Sequence, residues 1–227
     1  MKRIITIVFL VVITSKARAQ SESAFTFSNY HMNIINPAFA GVNDETVILS
    51  SVRKQWSGVE YAPETQAISF GTTLGKNLGF GLSVVNDVSF VEKQTFLGAD
   101  FSYKLQLGRD SNLYFGVRLG GSTFNVNTAG LESYNIISDP NLSSISEFNP
   151  NVGVGLIFKT EKLYVSLSAP RLLNSYSAKN NDLKANLFSQ TPHFYLGSGY
   201  NIDLDTASFL ELKPSLLLSY VKGAPLT

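Results

Sequence analysis

Side chains that could carry out catalysis or bind a metal are few and scattered in this sequence. There are two histidines, His31 and His193, and no cysteine. Neither histidine has a second histidine or a carboxylate pair at ligand spacing, so no metal site is predicted. His193 follows Ser189 closely, but no acidic residue stands nearby to orient the ring, and the Gly-x-Ser-x-Gly turn of serine hydrolases is missing. We therefore expect no catalytic residue, no cofactor and no metal.

The remaining pattern that could bind a ligand consists of three Gly-x-Gly pairs. Each pair lacks the third glycine of a dinucleotide-binding loop and lies inside an alternating segment rather than at a strand-to-helix turn. Glycine on one face of a strand leaves room for close packing, or allows a bend. We therefore predict that these glycines make space in a crowded interior. The pairs are Gly79/Gly81, Gly153/Gly155 and Gly197/Gly199.

The elements that must position these residues are segments in which apolar and polar residues alternate. In residues 113–120, for example, leucine, phenylalanine and valine alternate with tyrosine, glycine and arginine. A period of two residues predicts β-strands with two different faces. Nine strands are predicted, at residues 45–55, 65–75, 78–87, 94–106, 112–123, 150–159, 162–169, 193–202 and 208–221.

Strand length and the links between strands favour a membrane barrel over a soluble sandwich. The segments run about 8–13 residues, whereas soluble strands peak near 5–6 and a tilted membrane strand needs about 9–11. Short and long links alternate, as in outer-membrane barrels, whose short turns face the periplasm. The short links are residues 76–77, 108–111, 160–162 and 203–207, and the long ones are 56–64, 87–93, 124–149 and 170–192. We predict an antiparallel, all-β, transmembrane outer-membrane barrel.

Charged and aromatic residues fit the two faces of such a barrel. Six charged residues on the polar face are expected to pair across strands in a polar interior, with solute selectivity as the alternative role. Aromatic residues near strand ends are candidates for the membrane-interface girdle, although ordinary β-propensity also places aromatics in strands. The charged residues are Asp100, Lys104, Arg118, Lys159, Glu211 and Lys213, and the aromatic ones are Tyr114, Phe158, Tyr164, Tyr195, Tyr200 and Tyr220.

Overall charge and the first residues predict where the protein resides. The chain has 227 residues, and its 18 basic and 17 acidic residues form no basic stripe, which argues against nucleic acid as a partner. Lys2 and Arg3 precede an apolar run at residues 4–13, and Ala17-Arg18-Ala19 fits the rule for signal-peptide cleavage before Gln20. The alternative, a membrane anchor, needs about 20 apolar residues. We predict export.

The most specific pattern lies near the mature N-terminus, in two blocks separated by the first predicted strand. The first block is Asn36-Pro37-Ala38-Phe39-Ala40-Gly41. The second is Arg53-Lys54-Gln55-Trp56-Ser57-Gly58, followed by Ala62-Pro63-Glu64-Thr65. Asn-Pro and Ala-Gly are turn sequences. Arg53 could stack on the ring of Trp56, or Trp56 could mark the membrane–water interface.

These blocks, in this order, resemble the PorP/SprF family of type IX secretion system outer-membrane proteins. The resemblance covers residues 20–227. It implies a non-enzymatic barrel beside a secretion and gliding machine, assisting the export or surface attachment of adhesins and other cargo. It further implies periplasmic and peptidoglycan-associated partners, as well as outer-membrane lipid. Further pieces agree at residues 79–87, 149–155, 166–170, 199–200 and 213–215.

The resemblance also implies a chain longer than this one. Family members continue for several strands beyond a segment like Gly223-Ala224-Pro225-Leu226, where this chain ends. Bacterial single-chain barrels have an even number of strands, so we expect nine strands of a barrel of about 14. The expected organisation is a signal peptide at residues 1–19, an N-terminal periplasmic or plug segment at 20–44, and a C-terminally incomplete barrel at 45–227.

Positions of the two blocks are the candidate functional residues. We expect them to dock a partner or to plug the barrel, and the alternative is that they only lock the first strand and its loop. A passive porin-like channel or a hydrophobic-solute transporter is the alternative function for the same architecture. The candidate residues are Asn36, Pro37, Ala38, Gly41, Arg53, Gln55, Trp56 and Pro63.

Overall fold

The computed structural model describes residues 31–42, 44–126, 145–173, 192–205 and 210–222. The predicted signal peptide and Ser189 lie outside these ranges. The elements are helix α1 (Met32–Ile35), 3-10 helix η1 (Pro37–Phe39) and the strands β1 (Val47–Lys54), β2 (Glu64–Thr73), β3 (Leu78–Ser89), β4 (Glu92–Gln106), β5 (Ser111–Val126), β6 (Ile145–Thr160), β7 (Leu163–Ala169), β8 (His193–Tyr200), β9 (Ile202–Asp205), β10 (Leu210–Leu212) and β11 (Ser215–Val221).

Nine of these strands form one antiparallel sheet in the order β1-β2-β3-β4-β5-β6-β7-β8-β11. The sheet curls into a half-barrel, so the predicted all-β class and the nine strands are confirmed. β9 and β10 form a separate hairpin, which continues β8 and β11 beyond a break at Asn201 and Pro214. The predicted single strand at 208–221 is therefore wrong, because Pro214 has no N–H for the ladder and only its carbonyl pairs, with the N–H of Tyr200 at 3.0 Å.

Three central strands are longer than the alternation predicted, with 15 residues in β4 and 16 in each of β5 and β6. The predicted long link at residues 87–93 is wrong, since only Phe90 and Val91 separate β3 from β4. Charged residues such as Glu92 and Lys93 suggested a loop, but the ladder continues as far as the pair of Ser89 with Glu92. Backbone pairing does not require apolar side chains, so the alternation underestimated these strands.

The two faces of the sheet are inverted relative to a soluble protein. The apolar face is exposed: 42 % of Leu82, 58 % of Leu97 and 55 % of Leu119. The concave face is buried and largely polar, and one row of register partners across it consists of Gly71, Gly81, Asp100, Arg118 and Gly153. An extended exposed apolar surface is unfavourable in water, whereas a sheet that pairs its own backbone can present such a surface to lipid.

The exposed apolar face has a defined height. On β5 the outward residues are apolar from Leu113 to Gly121, eight steps of about 3.3 Å, or about 26 Å along the strand. At the tilt of about 40° typical of outer-membrane barrels this spans roughly 20 Å of height, slightly less than their apolar band of about 25 Å. The band ends at a row of polar register partners: Gln66, Asn86, Thr95 and Thr123. Residues beyond this row, at the ends of β3 to β6, therefore project past the apolar band.

Half of the predicted girdle aromatics lie on the wrong face. Phe158, Tyr200 and Tyr220 are exposed on the apolar side, whereas Tyr114 is buried and Tyr164 is half-buried against the N-terminal segment. Tyr195 likewise faces the interior, where it lines a cavity beside α1. Side chains alternate with a period of two, so a position one residue away along the strand decides between lipid and lumen.

The short links at residues 74–77, 107–110 and 161–162 lie at one end of the sheet, named here the short-link rim. The opposite end is named the long-link rim, after the link of β1 to β2 at residues 55–63, and it also holds the short link of β3 to β4. No helix of the described residues is long and apolar enough to cross a membrane. Residues 31–42, named here the N-terminal segment, lie across the concave face and contact β2 to β7.

Candidate functional site

The first block of the motif forms a compact turn in which Asn36, Pro37, Ala38 and Ala40 are buried. Asn36 is extended, and its side-chain Oδ1 accepts a hydrogen bond of 2.9 Å from the N–H of Ala38, which caps η1. Pro37 occupies the first position of η1, where a missing N–H costs nothing. The Asn36 amide also donates to the carbonyls of Leu156 and Leu167, at 3.3 and 3.4 Å. The Asn-Pro pair therefore fixes both the turn and its contact with β6 and β7.

Glycines of the concave face form a cradle for this turn. A Cβ atom at Gly79 would collide with the carbonyl of Ala40, and one at Gly116 with the backbone of Ala38. A Cβ at Gly155 would collide with the Asn36 amide. The prediction that glycines on this face make room in a crowded interior is confirmed. At Gly79, Gly116 and Gly155 the space is occupied by the chain's own N-terminal segment.

Arg118 attaches the segment to the wall. Its Nε and Nη2 donate to Asp100 Oδ1 and Oδ2 at 2.5 and 2.7 Å, and its remaining donors bind the carbonyls of Asn33 and Ile34. These carbonyls lie at the C-terminal end of α1, where a helix has no internal partners for them. Asp100 and Arg118 are opposite each other in β4 and β5, so this predicted cross-strand pair is confirmed. The carboxylate orients the guanidinium, and the guanidinium holds the helix.

Hydroxyl groups of the wall bind three more main-chain carbonyls of the segment. Ser168 Oγ donates to the carbonyl of Ile35 at 2.9 Å, and Ser102 Oγ to that of Ala40 at 2.5 Å. The Tyr114 hydroxyl donates to the carbonyl of Val42 at 3.1 Å. Sequence reasoning placed Tyr114 in the membrane girdle and gave no role to the serines. The only signal for these serines in the sequence is their position on the polar face of the predicted strands.

The start of the segment is held by polar contacts of His31 and Asn33 and by an apolar cluster. The Asn33 amide donates to the carbonyl of Phe70 at 3.3 Å. His31 is buried and its Nδ1 lies 3.0 Å from Ser69 Oγ. Burial lowers the pKa of His31 below its ordinary value, so the neutral ring is favoured. Beside it, Ile34 of α1 packs against Ala67, Val85 and Phe96 of the wall.

The segment leaves the concave face through a tight turn at the short-link rim. Gly41 has φ +71°, and a Cβ there would lie 2.7 Å from the carbonyl oxygen of Thr72, so only glycine fits. Asp44 follows with φ +56° and forms an ion pair of 2.8 Å with Lys104. Lys104 was predicted to pair across strands, whereas in the structure it forms this ion pair with the turn. Glu211 and Lys213 also form a pair, at 2.7 Å, but it is exposed and outside the nine-stranded sheet.

The second block of the motif lies at the other end of β1, at the long-link rim. The Gln55 amide, oriented with its oxygen towards Arg53, accepts from Nη1 at 3.1 Å, and its backbone N–H donates to the carbonyl of Pro63 at 2.9 Å. Trp56 is 67 % exposed. The stacking of Arg53 on Trp56, and the alternative that Trp56 marks the membrane–water interface, stay predictions.

Aromatic residues around Trp56 adopt a backbone conformation that bulky side chains avoid. Trp56, Tyr61 and Phe90 have φ values of +50°, +57° and +54°. Tyr61 and Phe90 pack edge to face with ring centroids 6.0 Å apart, and both remain more than half exposed. Left-handed backbone at such residues costs on the order of 1–3 kcal/mol each and is characteristic of functional sites. We name Trp56, Tyr61 and Phe90 the rim aromatics.

The structure thus separates the eight candidate residues into two places. Asn36, Pro37, Ala38 and Gly41 lie inside the half-barrel or at its exit, and the other four lie at the long-link rim. Among the described residues, no group of three histidine or acidic side chains could hold a metal ion.

The family model described as "Type IX secretion system membrane protein PorP/SprF" matches residues 17–227. No curated protein and no solved structure matches the chain.

Proposed function

Because the chain belongs to the PorP/SprF family of type IX secretion system membrane proteins, we propose that it is a non-enzymatic outer-membrane component that assists the secretion or surface attachment of cargo such as adhesins. The observation that carries the proposal is the presentation of the second motif block. Trp56 stands 67 % exposed at the long-link rim, in strained backbone, beyond the polar row that ends the apolar band. A protein partner can reach it there.

The proposal assigns the two rims to different partners. Short turns of outer-membrane barrels face the periplasm, so the short-link rim contacts periplasmic and peptidoglycan-associated components. The long-link rim, with Arg53, Gln55, Trp56 and Pro63, receives the cargo. The outer apolar face contacts lipid. Since the N-terminal segment fills part of the lumen, the barrel acts as a docking partner rather than as the conduit.

A gene deletion complemented with variants tests the proposal. Deletion should leave a specific cargo inside the cell, and the wild-type gene should restore its display. Trp56→Gly should fail to restore display, because it removes the exposed ring while permitting the same backbone. Phe148→Ala is the matched control, since Phe148 is 65 % exposed but lies outside the motif. Normal cargo display in the clean deletion would refute the secretion role.

A passive channel is the second candidate, and one observation favours it. A cavity of about 330 Å³ lies between the N-terminal segment and β1–β2, lined by residues that include Glu45, Leu49 and Ser69. An opening of this kind, lined by both polar and apolar residues, could pass a small solute. The purified chain in planar bilayers should then give steady conductance, together with normal cargo display in the deletion strain. An absence of conductance would rule the channel out.

A further inference from the structure

The concave wall binds the main chain of its occupant at several points, in addition to some of its side chains. Five carbonyl groups of the N-terminal segment accept hydrogen bonds from wall side chains. Arg118 binds two of them, and Ser102, Tyr114 and Ser168 bind one each. Carbonyl groups are common to every residue type. This set of donors therefore fits a polypeptide of many sequences.

The shape of the wall also favours the binding of a polypeptide main chain. Gly79 and Gly116 let the backbone of Ala40 and Ala38 approach so closely that no side chain fits between. The occupant needs small residues where it crosses these glycines. The wall also contacts side chains of the resident segment at His31, Asn33 and Ile34. Asn36 adds a further contact, because its amide binds wall carbonyls in β6 and β7.

The composition of the wall also allows the N-terminal segment to leave. The surface beneath the segment includes Asp100, Ser102, Arg118 and Ser168, groups that water can solvate when the segment leaves. Ser83 Oγ is buried on the same face, with no hydrogen-bond partner. A buried hydroxyl without a partner is destabilising, and hydration would relieve it. The apolar contacts of Ile34 with the wall oppose release, whereas the polar contacts exchange protein donors for water.

We infer that the concave wall between β3 and β7 is a binding site for polypeptide main chain, and that residues 31–42 are its resident, displaceable occupant. Another polypeptide segment with small residues at the glycine positions takes their place when they leave. The site is defined by its donors and glycines, and it holds whether or not the protein acts in secretion.

A disulfide lock tests displacement in the full chain, which has no native cysteine. A Cβ added at Gly81 would lie 3.1 Å from the Cβ of Ala40, close enough for a disulfide after a small adjustment. The variant Ala40→Cys/Gly81→Cys, purified in detergent micelles, is incubated with a fluorescent synthetic peptide of residues 31–42. Fluorescence anisotropy should show binding to the reduced protein and at least tenfold less binding to the oxidised one. Binding that is equal in both states would place the peptide elsewhere and overturn the inference.

A deletion of residues 31–42, with its fold checked by circular dichroism, supplies the second arm. It should bind the peptide more tightly than the intact chain, and no binding by either the deletion or the reduced lock variant would overturn the inference. Ser102→Ala/Ser168→Ala in the reduced lock variant should weaken binding on the order of tenfold. Ser166→Ala is the matched control, because this buried hydroxyl donates to Gly197 O, within the wall.

A second peptide tests whether the wall recognises the main chain or the side chains of its occupant. It carries alanine in place of Ile34 and Ile35 and keeps Asn36 and Pro37. Affinity within about tenfold of the first peptide supports recognition through carbonyl groups. Complete loss of binding would mean that side chains decide, and would overturn the inference. A secretion defect in the cell has no bearing on either arm, so the two proposals fail separately.

Discussion

The two blocks of one sequence motif have opposite environments. Asn36 in the first block is 1 % exposed, whereas Trp56 in the second is 67 % exposed. The first block is fixed by glycines that exclude a Cβ and by hydrogen bonds on several sides. The second is held mainly by Arg53, Gln55 and Pro63 in its own loop. Strand β1 joins the two: the first block lies in the lumen and leaves it at the short-link rim, and the second lies at the long-link rim.

This difference separates residues that build the barrel from residues that the barrel presents. Substitutions in the first block should cost stability, because buried hydrogen bonds and close packing are lost. Substitutions of exposed residues in the second block should leave stability nearly unchanged, since surface changes usually remain within about 0.5 kcal/mol. The variants below test this separation, starting with the largest expected effect.

Arg118→Ala should have the largest effect on stability. It leaves the Asp100 carboxylate buried without its guanidinium and removes the donors to the carbonyls of Asn33 and Ile34. Breaking a buried ion pair by removing one partner costs about 3–5 kcal/mol. Urea unfolding in micelles, monitored by circular dichroism, measures the loss. The double variant Asp100→Asn/Arg118→Met should be less destabilised, and equal losses in both would show that the unpaired charge is not the cause.

Gly116→Ala should come next. A Cβ at Gly116 meets the backbone of Ala38, so either the segment or the strand must move, and overpacking of this kind costs about 1–3 kcal/mol. Limited proteolysis should cut the N-terminal segment faster than in the wild type. Gly71→Ala is the matched control on the same face, because a Cβ there meets only Gly41 N, at 3.7 Å. Similar proteolysis in both variants would remove the glycine cradle as an explanation.

The direct comparison of the blocks is Asn36→Ala against Trp56→Gly. Asn36→Ala loses the cap of η1 and two bonds to the wall, and N-cap loss alone costs about 1 kcal/mol. Trp56→Gly removes an exposed ring and relieves a positive φ, so the free energy of unfolding should not fall. Both values come from the same urea titration. A larger loss for Trp56→Gly than for Asn36→Ala would contradict the separation of the two blocks.

The sequence was sufficient to predict the sheet and to identify the motif. Alternation with a period of two predicted nine strands and the polar interior, and turn residues placed most of the short links. Strand ends were predicted less well: β5 extends to Val126 and β6 begins at Ile145, because polar residues continue a ladder that alternation cannot detect.

The site itself could be predicted only in part. The motif singled out Asn36 and Trp56, but nothing local distinguishes Ser102 or Ser168 from other serines of the polar face. Their role depends on where the N-terminal segment crosses the wall, which is a contact over 62 and 133 positions of sequence. Such a contact follows from the curvature of the sheet, and curvature leaves no signature in alternation.

A change of pH should give the smallest effect, and it tests how the start of the N-terminal segment is held. Burial lowers the pKa of His31 below its ordinary value of 6.5, so the docked ring resists protonation more than the released one. Docking is therefore independent of this group above pH 6.5 and weakens as the pH falls below that value, since the released histidine binds the proton first. Proteolysis of the segment should be faster at pH 5.5 than at pH 7.5, relative to an unrelated substrate of the same protease. His31→Asn cannot titrate and should lose this dependence; if it keeps the full ratio, another group is responsible, and His31 anchors the segment only through its contact with Ser69.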